Sequence, residues 1–249
     1  MDQMIYSIVS VKKKQRELNT LLVGMKGVSG ADLYAVFFDD LTAVVSNIKK
    51  ASLVANRSNA IEYARVIETL AQHFTLLPVR FGSVMESTDV IIKMLGRNYH
   101  EIQRNLTKVE NKVEFGLKIL CDSEKIKTEL IAKAEADTNT EPAFAGQNSI
   151  YRKYLDKKLK EHRFEEMLIS YADPIIKDIT SHLAQLNPIH KFQKRPSKTN
   201  IIDDVFLLEK DKKEELIQAV EELQNQYAGL RLLLTGPWPP YNFVDITIK

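Results

Sequence analysis

The chain lacks most of the groupings that catalysis and metal binding use. Cys121 is its single cysteine, which excludes an intrachain disulfide and a metal site built from several thiolates. The five histidines are scattered, and no two have the i, i+4 spacing of a helical metal site. Asp39 and Asp40 come nearest to a catalytic carboxylate pair, but aspartates in such a position are typical of a turn. We therefore expect no catalytic residues, no metal, no cofactor and no enzymatic activity.

Excess charge and long apolar runs are also scarce. Lysine and arginine number 35 against 33 for aspartate and glutamate, a balance too even to bind nucleic acid by neutralising phosphates. The signature of an RNA-recognition sheet is missing, and Phe37 with Phe38 is the nearest approach to it. No run of 18 apolar residues predicts a membrane span. Residues 1–5 show no basic region followed by an apolar stretch, so we expect a protein of the reducing cytoplasm.

What the chain does have is two unusual short motifs. The first motif places one cation in an apolar run and consists of Leu76, Leu77, Pro78, Val79, Arg80, Phe81 and Gly82. Three interpretations of Arg80 stay open: an ion pair with a carboxylate at a domain junction, an exposed anchor for a partner protein, or a contact to a small anion. A buried pair would cost about 3–5 kcal/mol to break.

The second motif holds three of the eight prolines and the single tryptophan within five residues. It consists of Gly236, Pro237, Trp238, Pro239, Pro240, Tyr241, Asn242 and Phe243. Because proline fixes φ, the aromatic side chains are held at a low entropy cost. Two interpretations stay open: a stiff link that covers the end of a sheet, or a preorganised aromatic surface for binding another protein.

The first part of the chain predicts a β-α-β-β-α-β order. We expect strands at 4–10, 33–38, 41–45 and 75–79, with helices at 13–22 and 59–74. Asn59 and Glu62 resemble a capping pair at the start of the second helix. Two short helices follow, one from Ser87 to Gly96 and one whose face carries Tyr99, Ile102, Leu106 and Val109. The order is that of a ferredoxin-like domain.

The second part predicts a similar order with long helices inserted. Alternating apolar residues predict a strand at 113–121, and the pattern that follows predicts helices at 123–136 and 148–172. Asp173 and Pro174 are expected to end the long helix and begin another. The remaining expected elements are a helix opened by Asp211 and strands at 188–194, 201–208, 230–235 and 243–248.

The fold class is therefore predicted to be α+β with two domains. Residues 1–110 would form the N-terminal ferredoxin-like domain and the helices that follow it. Residues 111–249 would form a modified ferredoxin-like domain.

At the two motifs the chain resembles the GvpF/GvpL family of gas vesicle proteins. Leu77–Gly82 and Gly236–Phe243 match the family's two sequence blocks without gaps. The resemblance implies an accessory protein of gas vesicle formation, cytoplasmic and vesicle-associated, without known catalytic chemistry. It also implies binding to the hydrophobic shell protein and to other accessory proteins during assembly; retention in the mature vesicle as a minor component stays open.

The two motifs supply the candidate partner-binding residues. These are Leu77, Pro78, Val79, Arg80, Phe81, Gly82, Gly236, Pro237, Trp238, Pro239, Pro240 and Tyr241. An alternative function is a regulatory protein that holds a small ligand, because paired ferredoxin-like domains often do so. No nucleic acid and no membrane span enter either interpretation.

Overall fold

The computed structural model describes residues 2–11, 14–49, 53–121, 128, 150–194 and 200–244. The chain forms two compact units, which we call the first and second units. The first comprises Met1–Glu114 and Pro237–Lys249, and the second comprises Phe115–Gly236. The division into domains of residues 1–110 and 111–249 stays a prediction.

The described residues carry nine strands and six α-helices. From the amino terminus these are β1 (Gln3–Ser10), α1 (Gln15–Leu22), β2 (Leu33–Phe38), β3 (Leu41–Asn47), α2 (Arg57–His73), β4 (Leu76–Pro78), β5 (Val84–Met85), α3 (Thr88–Arg97) and α4 (Tyr99–Val109). They continue as β6 (Lys112–Cys121), α5 (Ile150–Ala184), β7 (Ile189–Lys194), β8 (Asn200–Glu209), α6 (Lys213–Gln226) and β9 (Leu230–Trp238).

The first sheet has the order β2-β3-β1-β4, with β5 also paired to β1, and all of its pairs are antiparallel. Strand β1 is central and almost wholly buried, which explains its near-continuous apolar sequence. The core on one side of the sheet unites β1 and β3 with α1 and α2, through residues such as Val9, Val44, Leu18 and Ile67. Helices α3 and α4 contact β2 and β4 respectively.

The turn predicted at Asp39 and Asp40 is confirmed. The two residues join β2 to β3, and Asp39 has a φ of 54°, a backbone conformation that aspartate tolerates. The Asp40 carboxylate accepts hydrogen bonds from the Tyr99 hydroxyl at 2.8 Å and from Gln103 Nε2 at 2.7 and 2.8 Å. Asp40 therefore attaches α4 to the hairpin.

The predicted cap of α2 is wrong by one turn. Asn56 is the N-cap, and its side chain accepts a hydrogen bond from the Asn59 N–H at 2.9 Å. Asn56 has the extended backbone that an N-cap requires, so the helix begins at Arg57. Asn59 is instead buried, and its side chain donates to the Val54 carbonyl. The predicted start of α3 at Ser87 is confirmed, since its hydroxyl accepts from the Val90 N–H.

The second sheet has the order β7-β8-β6-β9. The strand predicted at 113–121 is confirmed as β6, and Phe115, Leu117, Ile119 and Cys121 are buried as the alternation predicts, but Glu114 is buried too and departs from it. The predicted strands at 188–194 and 201–208 correspond to β7 and β8, which pair antiparallel. The predicted helix at 123–136 lies outside the described residues except for Thr128, and most of the predicted strand at 243–248 lies outside them too.

The predicted break at Asp173 and Pro174 is wrong, because α5 continues through both residues to Ala184. Proline removes one backbone donor and therefore weakens a helix locally. A continuous buried stripe crosses it, however, with helical spacing on both sides of the proline. The stripe consists of Leu168, Ala172, Ile175, Ile179 and Leu183. Burial of this face outweighs the local cost of the proline.

Candidate functional site

A cleft of about 400 Å³ lies beside β4 in the first unit. Its walls are mostly apolar and aromatic, and they come from β1, α2, the first motif and the carboxyl-terminal segment. The lining residues are Ile8, Tyr63, Leu77, Pro78, Val79, Arg80, Phe81, Ser83, Tyr241 and Val244. The structure therefore brings most of the first motif together with Tyr241 of the second, although 160 positions separate Phe81 from Tyr241 in the sequence.

Strand β4, which lines the cleft with Leu77 and Pro78, is hydrogen-bonded to β1. Thr75 and Val79 bond to β1, since the Ser10 N–H donates to the Thr75 carbonyl at 3.0 Å and the Val79 N–H donates to the Tyr6 carbonyl at 2.9 Å. In an antiparallel ladder the backbone groups of alternate residues point away from the partner, which places those of Pro78 on the outer side. Because proline has no N–H, it offers no donor for a further strand there.

Arg80 lies on a tight turn, and both ends of this turn are hydrogen-bonded to β1. The Ser83 N–H donates to the Arg80 carbonyl at 3.1 Å, and the Ile5 N–H donates to the Ser83 carbonyl at 2.9 Å. Gly82 has a φ of +83°, which is the value that the third position of a type II turn requires. The Arg80 side chain is exposed, and no carboxylate among the described residues forms an ion pair with it.

Tyr63 and Phe81 line the inner wall of the cleft, and Tyr6 packs behind Tyr63. Tyr63 stacks on Tyr6 with ring centroids 5.7 Å apart, and Phe81 meets Tyr63 edge to face at 5.4 Å. The Tyr6 hydroxyl accepts from the Val28 N–H at 2.8 Å and pairs with the Ser46 hydroxyl at 3.0 Å. Burial raises the pKa of the Tyr6 and Tyr63 phenols, so both rings stay neutral at physiological pH. The wall is therefore rigid and uncharged.

The second motif is fastened by two residues that the sequence analysis missed. The buried Glu114 carboxylate accepts from the Asn242 N–H at 2.7 Å and from Asn242 Nδ2 at 2.5 Å. Lys108 Nζ donates to the Phe243 carbonyl at 2.9 Å and lies 5.9 Å from the centre of its ring. The alternating pattern of β6 suggested an exposed Glu114. The local sequence holds no signal for this contact, because Asn242 is 128 positions away.

Two aromatic residues of the second motif, Trp238 and Tyr241, remain accessible. Trp238 is 42% exposed and Tyr241 is 40% exposed, whereas Pro239, Pro240 and Phe243 are buried. Burial, followed by the charges of Glu68 and Glu114, raises the pKa of Tyr241 to about 12. The buried residues fit the interpretation as a stiff covering link, and the two exposed rings fit the interpretation as an aromatic surface.

The other candidate residues lie outside the cleft lining. Gly236 and Pro237 lie within β9, which is longer than the predicted strand at 230–235. Gly236 has a φ of 121° and, like Pro237, is exposed. Gly82 shapes the Arg80 turn without lining the cleft. Among the described residues, no group of three metal-ligating side chains could hold a metal ion, and no helix is long and apolar enough to cross a membrane.

Comparison with known proteins decides the family. The model of the family described as gas vesicle synthesis protein GvpL/GvpF matches residues 4–245. The chain belongs to the GvpL/GvpF family. Membership confirms the resemblance drawn from the two motifs and gives the chain a role in gas vesicle formation. GvpL/GvpF is a family of gas vesicle proteins and is not a known enzyme family.

Relatives within GvpL/GvpF match over nearly the whole chain. Gas vesicle protein F1 of Halobacterium salinarum is 23% identical, covering 100% of this chain and 96% of its own. Gas vesicle protein F of Nostoc sp. PCC 7120 is 25% identical, covering 90% of this chain and 93% of its own.

Two solved GvpF structures have the same fold. The crystal structure of GvpF from Anabaena sp. PCC7120 has a TM-score of 0.77 at 22% identity, covering 99% of this chain and 97% of that one. GvpF from Microcystis aeruginosa has a TM-score of 0.78 at 18% identity, covering 98% and 99%. The predicted α+β class is thereby confirmed, with two sheets and helices in the arrangement of GvpF.

Proposed function

We propose that the protein is an accessory factor that binds the gas vesicle shell protein and other accessory proteins while the vesicle is assembled. The observation that carries this proposal is the meeting of the first motif with Tyr241 of the second around one cleft, with Trp238 and Tyr241 left exposed. The names of the relatives support the gas vesicle setting. We place this binding in the cytoplasm, at the growing vesicle, and we assign it no catalytic step.

The exposed rings have the character of an interface centre. Tryptophan, tyrosine and arginine dominate the residues whose truncation weakens protein–protein binding most. Here the backbone that carries them is fixed by prolines and by the Glu114 contacts, so less conformational freedom is lost when a partner binds. A rigid apolar surface suits a partner that is itself hydrophobic.

Recovery of the shell protein in a pull-down tests this proposal. We expect Trp238→Ala and Tyr241→Ala to lower recovery by about tenfold or more, the scale of a hot-spot residue. Val23→Ala is the matched control, because Val23 is an exposed apolar residue of the first unit that does not line the cleft. Equal recovery by all three folded variants would contradict the assignment of the two rings as contacts.

A second candidate function is a regulatory protein that binds a small ligand. The observation in its favour is the volume of the cleft, which lies within the range of about 300–1,000 Å³ typical of ligand pockets. A metabolite screen by thermal shift tests it, since a ligand that binds the folded state raises the melting temperature. A hit whose effect is abolished by Tyr63→Phe or Arg80→Gln would favour this alternative over protein binding.

We also propose that both sheets follow the ferredoxin-like plan. Support comes from the order β-α-β-β-α-β in each half and from the matching strand orders β2-β3-β1-β4 and β7-β8-β6-β9. The plan requires β6 to pair antiparallel with both β8 and β9. Cross-strand backbone contacts measured by NMR would test this pairing in the second sheet.

A further inference from the structure

The described lining of the cleft offers hydrogen-bond donors. Besides the Tyr63 phenol, its polar side chains are those of Arg80, Ser83 and Tyr241, and none of the described lining residues is acidic. A guanidinium donates only, and a neutral phenol donates one hydrogen bond. The raised pKa of Tyr241 keeps that phenol protonated at physiological pH. The polar groups of the cleft therefore complement an acceptor, and the cation among them complements an anion.

The rest of the lining requires an apolar body next to that anion. Leu77, Val79, Phe81 and Val244 contribute aliphatic and aromatic surface. A free phosphate or sulfate would find one guanidinium there, whereas strong binding of such ions uses several charged donors. An aliphatic side chain carried beside a carboxylate would satisfy both parts of the cleft.

The guanidinium is carried on a backbone that cannot easily shift. Two hydrogen bonds to β1, from the Val79 N–H to the Tyr6 carbonyl and from the Ile5 N–H to the Ser83 carbonyl, fix both ends of the Arg80 turn. Between Ile5 and Ser7 the ladder of β1 with β3 shifts register, so the turn lies opposite an irregular point of the strand. The backbone that carries the cation therefore needs little reordering when the side chain pairs.

Negative charge acts on the Tyr241 phenol from residues that do not line the cleft. These are the carboxylates of Glu68 and Glu114, and Glu114 is occupied by Asn242. An acidic group is therefore disfavoured next to Tyr241 and favoured next to Arg80.

We propose that the cleft binds a segment of a partner polypeptide in which an aspartate or glutamate stands next to an aliphatic residue. Its carboxylate pairs with Arg80, and its aliphatic side chain packs on Tyr63 and Phe81. This inference rests on the proposed function, because it identifies the chemistry of the vesicle protein segment that docks there.

The experiment uses the full chain and short labelled peptides that together cover the shell protein, measured by fluorescence anisotropy at low and high salt. Each acidic peptide is paired with a version whose aspartate or glutamate is replaced by the amide. We expect an acidic peptide to bind about tenfold more tightly than its amide partner, the scale of one charge-assisted hydrogen bond. Arg80→Gln should remove that difference, and Arg80→Lys should keep part of it.

Arg97→Gln is the matched control, since Arg97 is an exposed arginine of α3 outside the cleft lining. Equal binding of acidic and amide peptides, or equal losses in Arg80→Gln and Arg97→Gln, would overturn the proposal. So would competition by inorganic phosphate or by a free aliphatic carboxylate that matches the peptide, which would indicate a small-anion or small-ligand site.

The intact shell protein separates this inference from the proposed function. If Arg80→Gln lowers its recovery no more than Arg97→Gln, while Trp238→Ala still lowers it, the acidic-segment proposal fails and the binding function stands. If the wild-type chain recovers no shell protein and binds none of the peptides, both fail.

Discussion

The two sheets share one strand order but end differently. In each sheet the strand that comes first in the chain, β1 or β6, is an inner strand of the sheet. The strand that comes last in each strand order, β4 or β9, stands at one end of it. Strand β4 has three residues and stops at Pro78, whereas β9 has nine residues and reaches Trp238. Each of these last strands leads into one of the two motifs. The two sheets thus share a topology. The two unusual motifs lie at their end strands, β4 and β9.

The two units also differ in the titrating groups that burial shifts. The first unit buries the phenols of Tyr6 and Tyr63 together with the Glu114 carboxylate, which Asn242 contacts. The second buries the carboxyl group of Asp204, which contacts His190 Nε2 and accepts from the Val205 N–H at 2.8 Å. Burial raises the pKa of the two phenols and of Asp204, but the ordinary pKa values of a phenol and a carboxyl group lie far apart. Alkaline and acidic titrations therefore report on different units.

Truncation of the aromatic wall should have the largest effect. We expect Tyr63→Ala to lower the free energy of unfolding of the first unit by about 3–5 kcal/mol, because a buried ring stacked on Tyr6 is removed. Urea denaturation followed by tryptophan fluorescence measures this directly, since Trp238 is the single tryptophan and belongs to the first unit.

Far-ultraviolet circular dichroism on the same samples sharpens the comparison. Phe206→Ala, which removes a buried ring stacked on His190, is the matched variant in the second unit. If both variants shift fluorescence and circular dichroism together by the same amount, the two units unfold as one, and the distinction between them does not extend to stability.

Loss of the Glu114 charge should come next. We expect Glu114→Gln to destabilise the first unit by about 1.5–3 kcal/mol, because the Asn242 amide groups lose a charged acceptor. Chymotrypsin should then cut the 236–243 segment faster than in the wild type. Glu86→Gln, which alters an exposed carboxylate, is the control, and equal cleavage rates in the two variants would count against the role of Glu114.

Local patterns predicted much of the scaffold. The alternation of β6 from Phe115 onward, the Asp39–Asp40 turn and the Ser87 cap each depend on residues a few positions apart, and each is confirmed. The continuation of α5 through Pro174 was not predictable from the proline alone. It depends on the burial of Ile175 and its neighbours along the stripe, which only the packed structure defines.

The candidate site was predictable as two motifs but not as one cleft. The composition of the motifs made Arg80 and Trp238 conspicuous. The meeting of Tyr241 with Tyr63 and Phe81 depends on the return of the carboxyl-terminal segment to the first unit. Pairing over such a sequence distance leaves no periodic pattern, and the same holds for the contact of Glu114 with Asn242.

Two glycines, one in each unit, test whether the Arg80 turn of the first motif requires a residue without a side chain. Gly82→Ala should destabilise the first unit by about 1–2 kcal/mol, because φ is +83° although the space around it is open. Gly229→Ala in the second unit also enters open space, without a positive φ, so we expect no loss or a gain of about 0.4–1 kcal/mol. Urea denaturation of both variants measures the difference, and equal effects would mean that the Arg80 turn is not strained by a side chain.

Removal of the buried acid should change how the stability of the second unit depends on pH. Burial raises the pKa of Asp204 even with His190 beside it. The folded state therefore keeps this proton after the unfolded chain has lost it, and stability falls as the pH rises from about 4 through the folded pKa. Asp204→Asn should flatten that fall in urea titrations followed by circular dichroism, and an unchanged slope would contradict the assignment.

The phenol of Tyr241 provides the alkaline counterpart and the smallest effect. Burial with Glu68 and Glu114 raises its pKa to about 12, above the ordinary value for a tyrosine of about 10. Its contribution to stability is complete below about pH 10 and is lost as the pH rises through the folded pKa. Tyrosinate absorbance should therefore lose amplitude at the alkaline end of the titration in Tyr241→Phe, and Tyr227→Phe in the second unit controls for the loss of one phenol. Loss of amplitude near pH 10 from Tyr241→Phe would mean that the cleft leaves this phenol in water.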